Sequence, residues 1–206
     1  MKHEIEVKLR LPVSAILEAL TNAGLPYRLV EARHFEDNWL LGGQDRKVPG
    51  KRAVLRVRKV NGAGTITYKA EPPANEQNSA FKIRTEIETL ITDPEAALAI
   101  FRELGYRPWF RYQKFRTVFE VITPDKQTLE IMADETPLGE FIELEGTEAA
   151  ISSIVRLLGV RPSDYILESY LSLQLEACRT KGSELEDMIF PPGAVDLLTD
   201  TGRSHQ

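Results

Sequence analysis

Two glutamates and a lysine stand at alternate positions near the N-terminus, in Glu4-Ile5-Glu6-Val7-Lys8. Ile5, Val7, Leu9 and Leu11 fill the places between and after them, an alternation that specifies a half-buried β-strand. Successive strand side chains point to opposite faces, so Glu4, Glu6 and Lys8 share one face. Two carboxylates about 7 Å apart on that face repel unless something binds them. A divalent cation such as Mg2+ or Mn2+ takes carboxylate oxygens, and the lysine beside it could hold an anion that the metal also touches. A solvated sheet face carries the same string and is its commoner source, so the rest of the chain decides.

The chain has 206 residues, enough for a real core in one domain or at most two small ones. Its composition, 42% hydrophobic and 28% charged, is that of an ordinary globular protein. A net charge of −5 argues against nonspecific nucleic-acid binding. No apolar run reaches membrane-spanning length, and the N-terminus opens straight into the charged strand, which reads as the absence of a signal peptide. Cys178 is the single cysteine, so neither an internal disulfide nor a cysteine metal site is available. A cytoplasmic protein, monomer or homodimer, is expected. His3, His34 and His205 have no metal-motif spacing.

The N-terminal string has two counterparts. Glu4-Ile5-Glu6, Glu86-Ile87-Glu88 and Glu143-Leu144-Glu145 are each followed by a helical pattern, over 13–23, 94–104 and 148–158, that ends at Gly24, Gly105 or Gly159. Asp93 with Pro94 and, on the third unit, Thr147 are N-cap signals. Ile16, Leu17 and Leu20, then Leu98, Phe101 and Leu104, then Ile151, Ile154, Val155 and Leu158 give each helix one apolar stripe. Further strands are expected over 34–41, 53–60, 65–70, 81–91, 110–122, 128–134 and 141–146, with Asn61-Gly62 as a hairpin turn and residues 72–79 as a polar loop. A last helix is expected over 163–179. Residues 1–180 form the domain and 181–206 a C-terminal tail, Pro/Gly-rich and polar from Pro191 and partly disordered. About eight strands and four helices without strict βαβ alternation give an α+β fold, an antiparallel β-barrel with helices outside.

At period two, the strands segregate charge by sign. Arg56 and Arg58 share a face, as do Lys114 and Arg116; Lys69 lies with Thr65 and Thr67; Arg84 lies with Glu86 and Glu88; Glu130 lies with Asp134, and Glu143 with Glu145. The opposite faces are apolar and give the helices somewhere to pack, so the charged faces point into the barrel. An interior of that kind is costly unless its charges pair or bind something. A triphosphate with a divalent metal satisfies both signs, with Arg and Lys on phosphate oxygens and carboxylates on the metal.

With these pieces in order, the chain resembles the CYTH superfamily of triphosphate tunnel metalloenzymes, over residues 1 to about 175. The resemblance rests on Glu4–Lys8, Arg56-Val57-Arg58, Lys69, the Arg84–Glu88 strand, Lys114-Phe115-Arg116, and the stretch from Asp134 through Leu138-Gly139 to Glu143 and Glu145. Glu168-Ser169-Tyr170 is similar to the opening of the family's terminal helix. The branch most similar carries the class IV adenylyl cyclase name. The resemblance implies a closed eight-stranded tunnel. It implies metal ligands Glu4, Glu6, Glu143 and Glu145 with Asp134 nearby, and triphosphate contacts from Lys8, Arg56, Arg58, Lys69, Arg84, Lys114 and Arg116, with Glu6, Lys8 and Arg58 closest to the chemistry. Glu86 and Glu88 serve either the metal or the arginines, and Tyr170 either closes a tunnel mouth or packs its helix. Three activities share such a tunnel: hydrolysis of an inorganic or organic triphosphate (tripolyphosphate, thiamine triphosphate or ATP), cyclisation of ATP to cyclic AMP and pyrophosphate, and binding without turnover. No base-reading motif separates them.

Overall fold

The computed structural model describes residues 2–50, 52–71 and 81–196; the loop expected over 72–79 and the last part of the tail, 197–206, lie outside the described residues. The strands are β1 (Lys2–Leu9), β2 (Tyr27–Gly42), β3 (Val54–Val60), β4 (Ala63–Ala70), β5 (Lys82–Ile91), β6 (Arg107–Ile122), β7 (Thr128–Thr136) and β8 (Gly139–Glu145), and the helices α1 (Val13–Asn22), α2 (Pro94–Glu103), α3 (Glu148–Leu157) and α4 (Tyr170–Lys181). The strands close into a single antiparallel barrel in the order β1-β5-β4-β3-β2-β6-β7-β8. Closure pairs every strand on both sides over part of its length and fixes an inside and an outside for the alternating residues there.

Local chemistry explains the elements. The Asp93 side chain accepts from the Ala96 amide at 2.9 Å with Pro94 at the first helical position, and Thr147 caps α3 through the Ala150 amide. Gly24, Gly105 and Gly159 all take positive φ just past their helices, the left-handed conformation that ends a helix most cheaply with glycine. Asn61 and Gly62, both at positive φ, make the tight turn between β3 and β4.

The largest apolar cluster lies outside the barrel. Ile16 and Leu20 of α1 and Ile151, Ile154 and Val155 of α3 pack on Val7, Leu9, Leu129, Ile131, Ile142 and Leu144, the outward residues of β1, β7 and β8. Each such side chain contributes about 1.5–3 kcal/mol on burial. Leu98 of α2 packs on Leu41, Leu55 and Val57, whereas Leu104, expected on the same stripe, caps the helix and is exposed.

Two boundaries differ from the sequence expectation by more than three residues at their start. β2 starts at Tyr27 and not near His34; its first six residues are exposed, and its pairing with β6 shifts register at Leu29/Glu31 and Glu31/His34 in this part of the strand, and again at Leu40/Leu41. Those bulges destroy the alternation that would announce the strand. The last helix starts at Tyr170 and not at 163. Pro162–Asp164 form a separate 3-10 turn, Ile166 is drawn into a backbone bridge with Lys8, and the Ser169 side chain caps the true helix through the Ser172 amide.

The segment after α4 runs back along the barrel. The Met188 amide donates to the Arg111 carbonyl and the Gln113 amide to the Met188 carbonyl, both at 2.9 Å. β7 pairs with β6 only from Phe115 onward, so this segment covers a stretch of β6 edge that the barrel leaves open.

Candidate functional site

The inward faces of the strands enclose a cavity of about 700 Å3. Among the described residues, eight cationic side chains line it: Lys8, Arg56, Arg58, Lys69, Lys82, Arg84, Lys114 and Arg116. Nine carboxylates face them: Glu4, Glu6, Glu31, Glu36, Glu86, Glu88, Glu130, Glu143 and Glu145. The strands carrying the three Glu-x-Glu strings, β5, β1 and β8, are consecutive in the barrel. Glu6 stands directly opposite Glu145, Lys8 opposite Glu143, and Glu4 opposite Arg84. Glu145 in turn stands opposite Glu130 on β7. Such cross-strand juxtaposition of like charges costs stability, so the inner wall over β1, β7 and β8 concentrates negative charge at that cost.

The cations spread around the wall. Lys8 Nζ lies 2.8 Å from Glu143 Oε1, with both side chains buried. Lys69 Nζ donates to Glu4 at 2.8 Å and stands 3.3 Å from Glu86. Lys82 pairs with Glu6. Arg56 donates to the Tyr112 hydroxyl at 3.1 Å and to Thr67 Oγ1 at 3.0 Å. Thr67 donates to Glu88. Arg58 donates to Asn38 Oδ1 at 3.0 Å and meets Glu36 at 3.1 Å. Arg84, by contrast, reaches outward to the Arg52 carbonyl at 3.4 Å.

Burial and neighbours set the protonation of these groups. Burial, reinforced by Glu6, pushes Glu4 up to about 7 against the pull of Lys69. Lys69 is itself raised, because Glu4, Glu6 and Glu86 outweigh its burial and the repulsion of Arg56. The pair therefore favours a charged lysine more firmly than a charged Glu4. Burial works on Glu143 too, yet Lys8, Arg116 and Lys114 outweigh it and hold this carboxyl well below the usual range. Glu6 is lowered because Lys82, helped by Lys8 and Lys69, overcomes its burial and the repulsion of Glu143. Glu36, against its burial, is held well below by Arg58, Lys114 and Arg116.

Eleven of the twelve residues read from the sequence as site residues thus line one cavity. Asp134 is placed differently. It is buried behind the lining, and its two oxygens accept from Lys114 at 2.9 Å, from Arg116 Nε and Nη2 at 2.6 Å each, and from the Tyr170 hydroxyl at 2.7 Å. Four ionisable strand residues of the lining were not placed on a charged face by the sequence reading: Glu31, Glu36, Lys82 and Tyr112. Three had a usable signal, since Glu36 alternates with Leu40 on β2, Lys82 with Arg84, and Tyr112 with Lys114. Glu31 sits within the bulged part of β2, where alternation fails.

Among the described residues no group of three or more His, Cys, Asp or Glu side chains is gathered as a metal site; Glu4, Glu6 and Glu143 are each turned toward a lysine. The donor chemistry nonetheless fits a hard divalent cation. The donors are carboxylate oxygens, they outnumber the cations, and burial with Glu6 beside it leaves Glu4 holding its proton toward neutrality despite Lys69.

A family model described as the CYTH domain matches residues 2–157. A protein of Methanocaldococcus jannaschii named as a candidate adenylate cyclase is 27% identical over 183 residues, spanning 83% of this chain and 98% of that one. The solved structure of the PH1819 protein of Pyrococcus horikoshii is 25% identical, with a TM-score of 0.63 over 84% of this chain and 99% of that one. A Hippeastrum protein, described as a candidate adenylyl cyclase with a dominant triphosphatase activity, shares the fold at 19% identity and a TM-score of 0.54, over 90% of this chain and 98% of its own.

Proposed function

The chain belongs to the CYTH domain family, and on that premise we propose that it is a divalent-metal-dependent hydrolase of an inorganic or organic triphosphate bound inside the barrel. The observation that carries this reading is the mixed interior, eight cations and nine carboxylates on one cavity of about 700 Å3. Cations alone would suit any polyanion. Carboxylates set among the cations repel a triphosphate that enters alone and favour one that enters with a metal cation, for which Glu4, Glu6, Glu143 and Glu145 are the proposed ligands. Bound there with Mg2+ or Mn2+, the substrate would gain polarised phosphoryl oxygens.

Phosphoryl transfer needs positioning and charge neutralisation more than covalent chemistry. Lys8, Lys114 and Arg116 converge from β1 and β6 and are fixed by buried carboxylates before substrate arrives, which spares reorganisation during reaction. Arg56 and Arg58 approach from β3, Lys69 from β4 and Arg84 from β5, and their guanidinium and ammonium groups hold the outer phosphates. Glu6, ionised at neutral pH, orients a water molecule by accepting its hydrogen bond. The water oxygen attacks the terminal phosphorus, the bridging P–O bond breaks, the remaining diphosphate leaves with the electron pair, and the water's protons stay on the orthophosphate released.

Adenylyl cyclisation is the second reading, favoured by the name of the M. jannaschii relative. There a ribose hydroxyl attacks the α-phosphorus and pyrophosphate leaves. Incubation with tripolyphosphate, thiamine triphosphate or ATP, with Mg2+ or Mn2+, separates the two when orthophosphate, pyrophosphate and cyclic AMP are measured individually. Orthophosphate without cyclic AMP is the expected result. Pyrophosphate with stoichiometric cyclic AMP from ATP would replace hydrolysis by cyclisation, and tight binding without turnover would leave a binding module.

A further inference from the structure

Tyr170 lies beyond the 2–157 stretch that the family model matches, at the first turn of α4, and its side chain is buried in the cavity wall. Its ring packs against Phe141 and Tyr112, with centroids 5.5 and 5.9 Å away. A phenylalanine would serve that packing equally well; the hydroxyl does something else. It donates to Asp134 Oδ2 at 2.7 Å. A carboxylate offers about four lone-pair sites, and with Lys114 and the two Arg116 nitrogens this hydroxyl completes four donors on Asp134. Arg116 also reaches Glu143, and Glu143 holds Lys8. The Lys8 ammonium then lies 4.5 Å from the centroid of the Tyr170 ring, with the Lys114 ammonium at 5.4 Å, within cation–π range. The contacts form a closed circuit: Tyr170 hydroxyl, Asp134, Arg116, Glu143, Lys8, Tyr170 ring.

α4 is held where this circuit needs it. Lys8 Nζ stands 3.4 Å from the Glu168 carbonyl just before the helix. Gln174, one turn on, donates to the Glu186 carbonyl at 3.2 Å, in the segment that pairs with β6 at Arg111 and Gln113. β6 is the strand that carries Lys114 and Arg116.

We propose that Tyr170 is a positioning residue for the triphosphate site, its hydroxyl fixing Lys114 and Arg116 through Asp134 while its ring fixes Lys8. Asp134 then acts as the internal counter-ion of these cations and not as a metal ligand. The proposal rests on the reading of the cavity as a triphosphate site, and the experiment separates the two.

Tyr170→Phe keeps the ring and removes the hydroxyl. With tripolyphosphate and Mg2+ or Mn2+, it should lower kcat about tenfold, the scale of one hydrogen bond to a charged group, with KM nearly unchanged and an unaltered melting temperature to within a few degrees. In an Asp134→Asn background the same change should cost less than about twofold, because the hydroxyl acts through that carboxylate. Full activity in Tyr170→Phe, or costs that simply multiply, would overturn the positioning role. Wild-type protein that neither turns over nor binds tripolyphosphate would overturn the functional reading instead. The circuit is then judged without ligand: the ultraviolet titration of wild type minus that of Tyr170→Phe isolates the Tyr170 hydroxyl. Ionisation together with the exposed tyrosines would refute its bond to Asp134; silence that gives way to an earlier titration in Asp134→Asn would sustain it, and silence unchanged by Asp134→Asn would reduce it to burial alone.

Discussion

Glu4 on β1 and Glu143 on β8 are both buried carboxylates on one cavity wall, yet Glu4 is pushed up to about 7 while Glu143 is held well below its ordinary range. Burial is the largest influence on each and acts in the same direction on both. What differs is the company. Glu143 touches Lys8 and Arg116, with Lys114 close behind. Glu4 touches Lys69, which it shares with Glu86, and has Glu6 beside it. One end of the wall is thus already neutralised by several fixed protein cations, whereas at the other Glu4 and Glu86 share one lysine. An incoming anion meets prepared donors at the first end, and an incoming cation meets surplus oxygens at the second.

Removing Lys8 attacks the neutralised end directly and should have the largest effect. Lys8→Ala takes away a preorganised donor, for which losses of about 10²–10³ in kcat are usual, and it leaves Glu143 with Arg116 as its contact. Triphosphate turnover by the purified variant, alongside its circular dichroism spectrum, measures both consequences. Activity at the wild-type level would remove Lys8 from the site.

Glu143→Gln tests the same end from the other side. Lys8 and Arg116 would share a neutral amide in a buried place, a change that typically costs about 3–5 kcal/mol when one partner of a buried pair is lost. Urea denaturation at pH 7 should show that loss. A variant as stable as wild type would mean that the circuit through Glu143 contributes little to folding.

How much of this was legible beforehand depended on distance along the chain. The strings Glu4-Ile5-Glu6 and Glu143-Leu144-Glu145 declare their strands and faces because alternation is local, and the apolar complement Val7, Leu9, Ile142 and Leu144 declares the outer core. Those patterns sufficed for the barrel and for eleven cavity residues. Asp134 shows where they stop. Its parity places it inside, but nothing in its neighbours along the chain says that Tyr170, 36 residues later, turns it away from the cavity and toward Lys114 and Arg116. The start of β2 at Tyr27 failed for the opposite reason: two bulges erased a local signal that a regular strand would have kept. Ser163 through Ile166 read as the start of the last helix from the apolar spacing of Ile166, Tyr170 and Leu173, whereas Pro162–Asp164 close a 3-10 turn and Ile166 is bridged to Lys8 across 158 residues.

The deficient end carries the smallest but most specific prediction, a slope in stability with pH. An unfolded chain holds the Glu4 proton only below about 4.5, and the folded protein holds it up to about 7. Below 4.5 both states are protonated and Glu4 contributes no difference. Between the two values the folded state binds more protons, so this group lowers stability as pH rises, and above about 7 the full cost remains. A shift of that size corresponds to about 3 kcal/mol. Glu4→Gln, which cannot ionise, should flatten that part of the profile in urea denaturation across pH 4–8, whatever it does to the overall level through Lys69. Mg2+ or Mn2+ should raise the melting temperature of wild type more at pH 8 than at pH 5, since the metal competes with a proton for the same oxygens, and Glu4→Gln should blunt that gain. Identical pH profiles for wild type and Glu4→Gln would mean that the two ends of the wall do not differ in charge, and that the cation is bound elsewhere in the tunnel.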